Sequence, residues 1–353
     1  DAWLAAKLNT FANARLWAKQ NDIKIIVSLM VYPGGPDTYC VSQMQYNSQW
    51  YMKYLEFWKT LTTICINDPT VIAFDVHNEP AYGFRLRPQG PSTSFRTVIN
   101  AAIKEIRKID PSRTVIVEPI HYADPGQYRY MKPYEFENVW YSFHMYRPNE
   151  FTTSSNTTLT YPGFTINSGV NKAIGWVEKV GGHIVDKEFI RDVMKPVRDF
   201  QLAYRVPIFL GEFSSPRWTP GCAQFLADIS SIADEYGWIS TYHAFREANS
   251  WDVEYEALPA NQGGGILASG TTDRKQVLLN WLAPNVSKYL ANEQIPIAPS
   301  VSYIETWNDT LTLSWVPGAC SIGSWLIEYK ETSSQSWIGQ SVSRELTSYQ
   351  VTG

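Results

Sequence analysis

Two glutamates give the first clue to chemistry. Glu79 stands in Asn78-Glu79-Pro80 and Glu212 in Gly211-Glu212-Phe213. Each follows a largely apolar run that reads as a buried strand, Val71–Val76 before the first and Pro207–Leu210 before the second. Pro80 has no N–H for a strand ladder and ends its run just past Glu79. Parallel α/β sheets gather ligands and reacting groups at the carboxyl ends of their strands. The pair lies 133 residues apart (212 − 79), a gap that about three strand–helix units of roughly 30 residues and one long insertion would fill. Two carboxylates facing each other across one mouth suit cleavage of a glycosidic bond. One would protonate the leaving oxygen while the other attacks the anomeric carbon, at about 5–5.5 Å separation for retention of configuration. One such glutamate alone would read as a cap for the next helix. The pair points to catalysis.

The elements that must position this pair alternate along the chain. Leu4, Leu8 and Phe11 mark a helix already under way near residue 1, and Lys24–Met30 reads as a strand. Tyr54, Trp58, Leu61 and Cys65 form a helical stripe, Val71–Pro80 is the next strand, and Phe95, Val98, Ala102, Ile106 and Ile109 give a third helix. Strands follow at Thr114–Pro119 and Val139–His144, then a helix over Ile190–Phe200, the strand ending at Phe213, a helix over Cys222–Tyr236, a last strand at Trp238–Phe245 and a helix around Val277–Leu282. Residues 147–185 are polar and rich in Thr, Asn and Gly, a long loop of the kind that covers or builds a site. Strand–helix alternation argues for a parallel α/β sheet. The strand count is six, whereas a (β/α)₈ TIM barrel has eight. If the opening helix is a barrel's second, the chain lacks strands 1 and 2, and Glu79 and Glu212 end strands 4 and 7. An open six-stranded sheet is the alternative.

Near Asn292 the texture changes. Ile-Pro-Ile-Ala-Pro299 reads as a linker, and Leu311, Leu313 and Trp315 alternate with Thr312 and Ser314, the period of a half-buried strand. With Trp325–Tyr329 and Tyr349–Val351 in the same style, residues 293–353 resemble the start of a fibronectin type III domain, a β-sandwich that needs about 100 residues. The expected organisation is therefore a barrel over 1–292 without its N-terminal strands, then a linker and a partial β-sandwich over 293–353.

Bulk properties narrow the partners. A net charge of −4 gives no reason to expect nucleic acid or an anionic membrane, and no apolar run reaches transmembrane length. The chain carries 14 Trp and 21 Tyr against only 18% charged residues, and rings with polar tips suit stacking on sugars. Cys40, Cys65, Cys222 and Cys320 lack metal-type spacing, and Cys65 and Cys222 fall on apolar helix faces as buried thiols or disulfide partners. His77 and Glu79 form a poor metal motif, and no metal is expected. Asn156, Asn285 and Asn308 match the N-glycosylation pattern.

Taken together, Asn78-Glu79-Pro80 and Gly211-Glu212-Phe213 resemble the motifs of family 5 glycoside hydrolases, the cellulase-type members of the retaining clan A barrels. Ser142-Phe-His144-Met-Tyr146 is similar to that family's strand 6, and Phe245-Arg-Glu-Ala-Asn-Ser-Trp251-Asp to the strand 8 ending of some members. The resemblance implies Glu79 as acid/base, Glu212 as nucleophile and Asn78 as ligand of the sugar 2-hydroxyl. His144 would donate to substrate or orient a carboxylate, and Tyr146 would donate to Glu212. Trp251 or Phe245 would floor the cleavage subsite, and Trp218 would line a neighbouring one. Glu79 needs surroundings that keep it protonated until cleavage. Glu247 and Asp252 read as a loop salt-bridge set. Two departures stand out: the family's strand 2 Arg falls outside the chain, and Met30 takes the place of its strand 3 His. The implied function is a secreted retaining β-glycosidase on a β-1,4-linked polysaccharide, an endo-β-1,4-glucanase first and a β-mannanase or other β-glucanase second. No cofactor is required. A carbohydrate-binding protein on a degenerated barrel is the rival of another class. Oligomeric state is not legible.

Overall fold

Alternation of strand and helix carries through to the structure. A computed structural model describes residues 2–30, 49–80, 95–153, 159–166, 183–258, 265–290, 300–307, 310–316, 324–329, 338–343, 346 and 348–352. Two compact units divide the chain, Asp1–Arg274 and Lys275–Gly353. In the first, β1 (Ile25–Ser28), β2 (Val71–Asp75), β3 (Thr114–Val117), β4 (Val139–Met145), β5 (Ile208–Phe213) and β6 (Ile239–Ser240) form one curled six-stranded sheet in chain order. Every pairing in it is parallel. The helices are α1 (Ala2–Gln20), α2 (Gln49–Cys65), α3 (Phe95–Ile109), α4 (Lys187–Tyr204) and α5 (Cys222–Glu235), followed in the chain by α6 (Asp273–Leu290).

Two-residue periodicity sorts each strand between two environments. Outward residues meet the helices: Phe74 of β2 packs on Trp58 of α2 at 5.5 Å, and Tyr141 of β4 on Phe200 of α4 at 5.1 Å. Inward residues make two tiers. The lower is apolar, with Ala73, Ile116 and Phe209 buried together and Ile26 and Trp140 against them. Two residues further along the same strands stand Ser28, Asp75, Glu118, Ser142 and Gly211, a polar tier. Ser28 Oγ donates to Asp75 at 2.6 Å, and Ser142 Oγ to Glu118 at 3.1 Å. The apolar tier supplies hydrophobic burial, and the polar one opens toward the strand ends.

Helix signals act as expected. Tyr54, Trp58, Leu61 and Cys65 are all buried on α2, and Val98, Ala102 and Ile106 on α3. The Asp186 side chain caps α4 by accepting the Phe189 N–H at 3.0 Å, and Arg205 ends it in a left-handed conformation. One expectation needs correction. The last strand is far shorter than Trp238–Phe245, because Trp238 N–H still closes α5 onto Ala233 O and the chain turns away after His243. Asp252 holds that turn by accepting the Arg246 N–H at 3.0 Å. His77, past the end of β2, packs edge-on to Phe95 at 5.2 Å and to Tyr54.

Within 147–185, Thr165–Ile166 pairs antiparallel with His183–Ile184, and residues 154–158 and 167–182 lie outside the described residues. Cys65 and Cys222 are buried free thiols; Cys40 and Cys320, with Asn156 and Asn308, also lie outside. In the second unit β7 (Ser300–Trp307), β8 (Thr310–Val316) and β11 (Ser348–Thr352) form an antiparallel sheet with β8 central, and β9 (Ser324–Tyr329) pairs with β10 (Ile338–Ser343). Trp315, Ile327 and Val342 form a shared core from both sheets.

Candidate active site

Two different backbone irregularities deliver the two glutamates. Glu79 follows β2 with φ of +46°, a left-handed conformation unusual for a residue with a Cβ. Its N–H donates to Glu118 Oε2 at 2.7 Å, while the Asn78 N–H before it donates to Leu29 O at 3.1 Å. Tyr122 N–H reaches Pro80 O, so the strand's exit is tied to both neighbours. Glu212 is turned by a bulge in β5. Phe143 pairs with Leu210 but His144 pairs with Glu212, leaving Gly211 as the extra residue. A Cβ on Gly211 would lie 2.7 Å from Ser142 Oγ and 3.0 Å from His144 Nε2, so only glycine fits without displacement.

His144 stands between the carboxylates. Its Nδ1 is 2.8 Å from Glu79 Oε1 and 3.7 Å from Glu212 Oε2, and its Nε2 is 3.0 Å from Glu118 Oε1. Burial by itself would lower the His144 pKa, but Glu118, Glu212 and Glu79 outweigh it and raise it well above the ordinary imidazole value. Tyr146 O–H donates to Glu212 Oε2 at 2.8 Å and also lies 2.8 Å from His243 Nδ1. Burial first, and Glu212 second, push the Tyr146 pKa far up, which keeps the phenol a donor. His243 in turn has Nε2 at 3.1 Å from Glu247. Below this level Asp75 is buried, with its pKa raised well above the usual range by burial and by Glu118.

Glu79, Glu212, His144 and Tyr146 thus meet at one mouth. Asn78 is buried beside them, and its side-chain Nδ2 has no hydrogen-bond partner among the described residues. Trp251 backs Tyr146 at 5.4 Å and His243 at 5.3 Å, with its Nε1–H directed to Thr152 O at 3.3 Å. Phe245 is 69% exposed beside the Arg246 guanidinium, and partly buried Trp218 lies under Arg217 at 4.9 Å. Met30 follows β1 and is 42% exposed. Glu247 pairs with His243, and Asp252 caps its own turn by accepting the Arg246 and Glu254 N–H groups.

Sequence reasoning missed Glu118, Ser142 as its donor, and His243. The signal for Glu118 was present: Val117-Glu118-Pro119 is a third strand-terminal glutamate followed by proline, like Glu79-Pro80. Glu79, His144 and Glu212 each offer an atom within 4.8 Å of the others, the spacing of a metal cluster. Both ring nitrogens of His144 are already engaged by carboxylates, Nδ1 by Glu79 and Nε2 by Glu118.

Comparison with known proteins adds a family and a fold. The profile of cellulase, glycosyl hydrolase family 5, matches residues 2–244. Endoglucanase C of Acetivibrio thermocellus is 22% identical over 215 residues, covering 56% of this chain and 60% of that protein. The chain thus spans about 60% of the length of the curated relatives it matches. Among solved structures, Thermotoga maritima Cel5A in complex with cellobiose superposes with a TM-score of 0.55 at 16% identity, covering 77% of this chain and 78% of that one. The cellulose synthase subunit Z of Clostridioides difficile gives 0.54 at 19% identity, covering 79% and 81%. At these identities the structural likeness speaks for the fold.

Proposed function

The chain belongs to glycosyl hydrolase family 5, the cellulase family, and from that premise we propose that it hydrolyses a β-1,4-linked glucan as a retaining endo-β-1,4-glucanase. The observation that carries the proposal is the close approach of the Glu79 and Glu212 carboxylates, one oxygen of each lying within 4.8 Å of the other. Retaining enzymes hold this pair at about 5–5.5 Å, whereas inverting ones leave roughly 6.5–9.5 Å for a water. In the first step a Glu212 oxygen bonds to the anomeric carbon, the glycosidic C–O bond breaks, and Glu79 gives its proton to the departing oxygen. In the second, Glu79 takes a proton from water as the water oxygen displaces Glu212. The Tyr146 hydroxyl orients Glu212 for attack and compensates it again when the ester breaks.

Asn78 Nδ2, without a hydrogen-bond partner among the described residues, supports its role as donor to the sugar 2-hydroxyl. Trp251, behind Tyr146, is the nearer of the two floor candidates; Phe245 and Trp218 would serve neighbouring sugars. In this reading residues 1–292 are a (β/α)₈ barrel without strands 1 and 2, and 293–353 are the start of a fibronectin type III-like module. The intact protein is secreted and needs no cofactor. The test is hydrolysis of β-glucans and β-mannans by the full chain, with Glu79→Gln and Glu212→Gln beside it. Each variant should lose at least about a thousandfold in kcat, consistent with removing a general acid or a nucleophile. Full activity in Glu212→Gln would overturn the mechanism, and cleavage of mannan alone would move the substrate.

A further inference from the structure

Glu118 has no place in the two-carboxylate scheme, yet it touches every part that governs the acid/base. It is buried at the end of β3, and its two oxygens are fully assigned. Oε1 accepts from Ser142 Oγ at 3.1 Å and faces His144 Nε2 at 3.0 Å; Oε2 accepts the Glu79 N–H at 2.7 Å. One carboxylate therefore grips both the backbone of Glu79 and the imidazole that contacts the Glu79 side chain.

We propose that Glu118 is a positioning residue for the acid/base, fixing the left-handed backbone of Glu79 and holding His144 so that its Nδ1 faces Glu79 Oε1. The inference rests on the retaining-hydrolase reading of Glu79. Its chemistry is specific. A carboxylate at Nε2 requires a proton on that nitrogen, which fixes the ring's orientation. Nδ1 is then the nitrogen held 2.8 Å from Glu79 Oε1. The groups facing His144 are Asp75 and Glu79 from β2 and its exit, Glu118 from β3, Tyr146 from its own strand and Glu212 from β5, with His243 beyond Tyr146. Among these carboxylates, Glu118 is the one that contacts Nε2. A remaining carboxylate at Nδ1 cannot substitute for it in fixing the ring.

The test is Glu118→Gln, which keeps size and one acceptor but removes the charge, with Glu118→Asp as the variant that keeps charge and shortens reach. Imidazole ¹⁵N resonances of the full chain report His144 directly, assigned by loss in His144→Gln. In wild type the ring should stay doubly protonated above neutral pH. In Glu118→Gln its titration should fall by roughly one pH unit or more, and Glu118→Asp should recover part of that shift. Kinetics give the second readout. On β-glucan, kcat of Glu118→Gln should fall about ten- to a hundredfold, the scale of impaired acid catalysis. On dinitrophenyl β-cellobioside, whose leaving group departs without a proton, kcat/KM should stay within about threefold. A merely structural loss would lower both equally. An unchanged His144 titration, or equal losses on both substrates in a folded variant, overturns the proposal. If wild type hydrolyses neither substrate while the titration shifts as expected, the functional reading fails and the hold of Glu118 on His144 stands.

Discussion

Gly211→Ala tests the tightest point of the site. The added Cβ would lie 2.7 Å from Ser142 Oγ, 3.0 Å from His144 Nε2 and 3.2 Å from His144 Cδ2. Neither neighbour yields freely. Ser142 is fully buried and its hydroxyl is committed to Glu118, so rotating it away forfeits a hydrogen bond worth about 1.5–3 kcal/mol when the acceptor is charged. His144 is fixed at both nitrogens by carboxylates. Overpacking of this kind costs about 1–3 kcal/mol. For a unit of this size that corresponds to a fall in Tm of roughly 2–10 °C. Because Glu212 is the next residue, kcat on β-glucan should fall with it.

A double-mutant cycle separates the clash from a general weakness of the bulge. Ser142→Ala loses its own hydrogen bond but opens the space that the new Cβ needs. The double variant should therefore be more stable than the sum of the single losses by roughly 1 kcal/mol, within the range of coupling between touching residues. Differential scanning calorimetry of the four proteins gives the coupling. Strict additivity, or a Gly211→Ala protein with wild-type Tm and kcat, would refute the close approach.

Tyr146→Phe removes the hydroxyl that bonds Glu212, and kcat should fall about ten- to a hundredfold with little change in Tm; an unchanged kcat would sink the role. Stability should also decline on both sides of neutral pH. His144 has its pKa raised above the ordinary 6.5, so its contribution is full below about pH 6.5 and lost as pH rises through the folded value. His77 has its pKa lowered by burial, so its contribution is full above about pH 6.5 and lost as pH falls. Urea midpoints across pH should show both limbs, and His77→Phe should flatten only the acid one; an acid limb unchanged in that variant would falsify the assignment.

How much of this was legible depended on which physical signal carried it. Apolar periodicity located β2, β4, β5 and the stripes of α2 and α3, because burial on a regular element leaves a repeat in the sequence. Glu79, Glu212, His144 and Tyr146 were found together because each ends, or nearly ends, such an element. Glu118 escaped although it ends β3 in the same way, since its partners come from β2 and β4 and no local pattern announces them. The two inward tiers were also readable in principle: Ile26/Ser28, Ala73/Asp75, Ile116/Glu118 and Trp140/Ser142 share a face by parity. What parity could not give was Glu212, because the bulge at Gly211 breaks the count.

That break bears on why the carboxylates sit so close. A regular β5 would carry Gly211 and Glu212 to opposite faces and leave His144 opposite Gly211; the extra residue pairs His144 with Glu212 instead. Glu79 reaches the same mouth by the other route, a left-handed backbone that costs about 1–2 kcal/mol for a residue with a side chain. The bond from its N–H to the Glu118 carboxylate, about 1.5–3 kcal/mol, is large enough to offset that cost. Without the bond, the strained conformer would lose its advantage over relaxed ones that carry the Glu79 side chain away from His144. The magnitudes therefore place the orientation of Glu79 under the control of β3, and Glu118 becomes the residue on which the geometry of the pair turns.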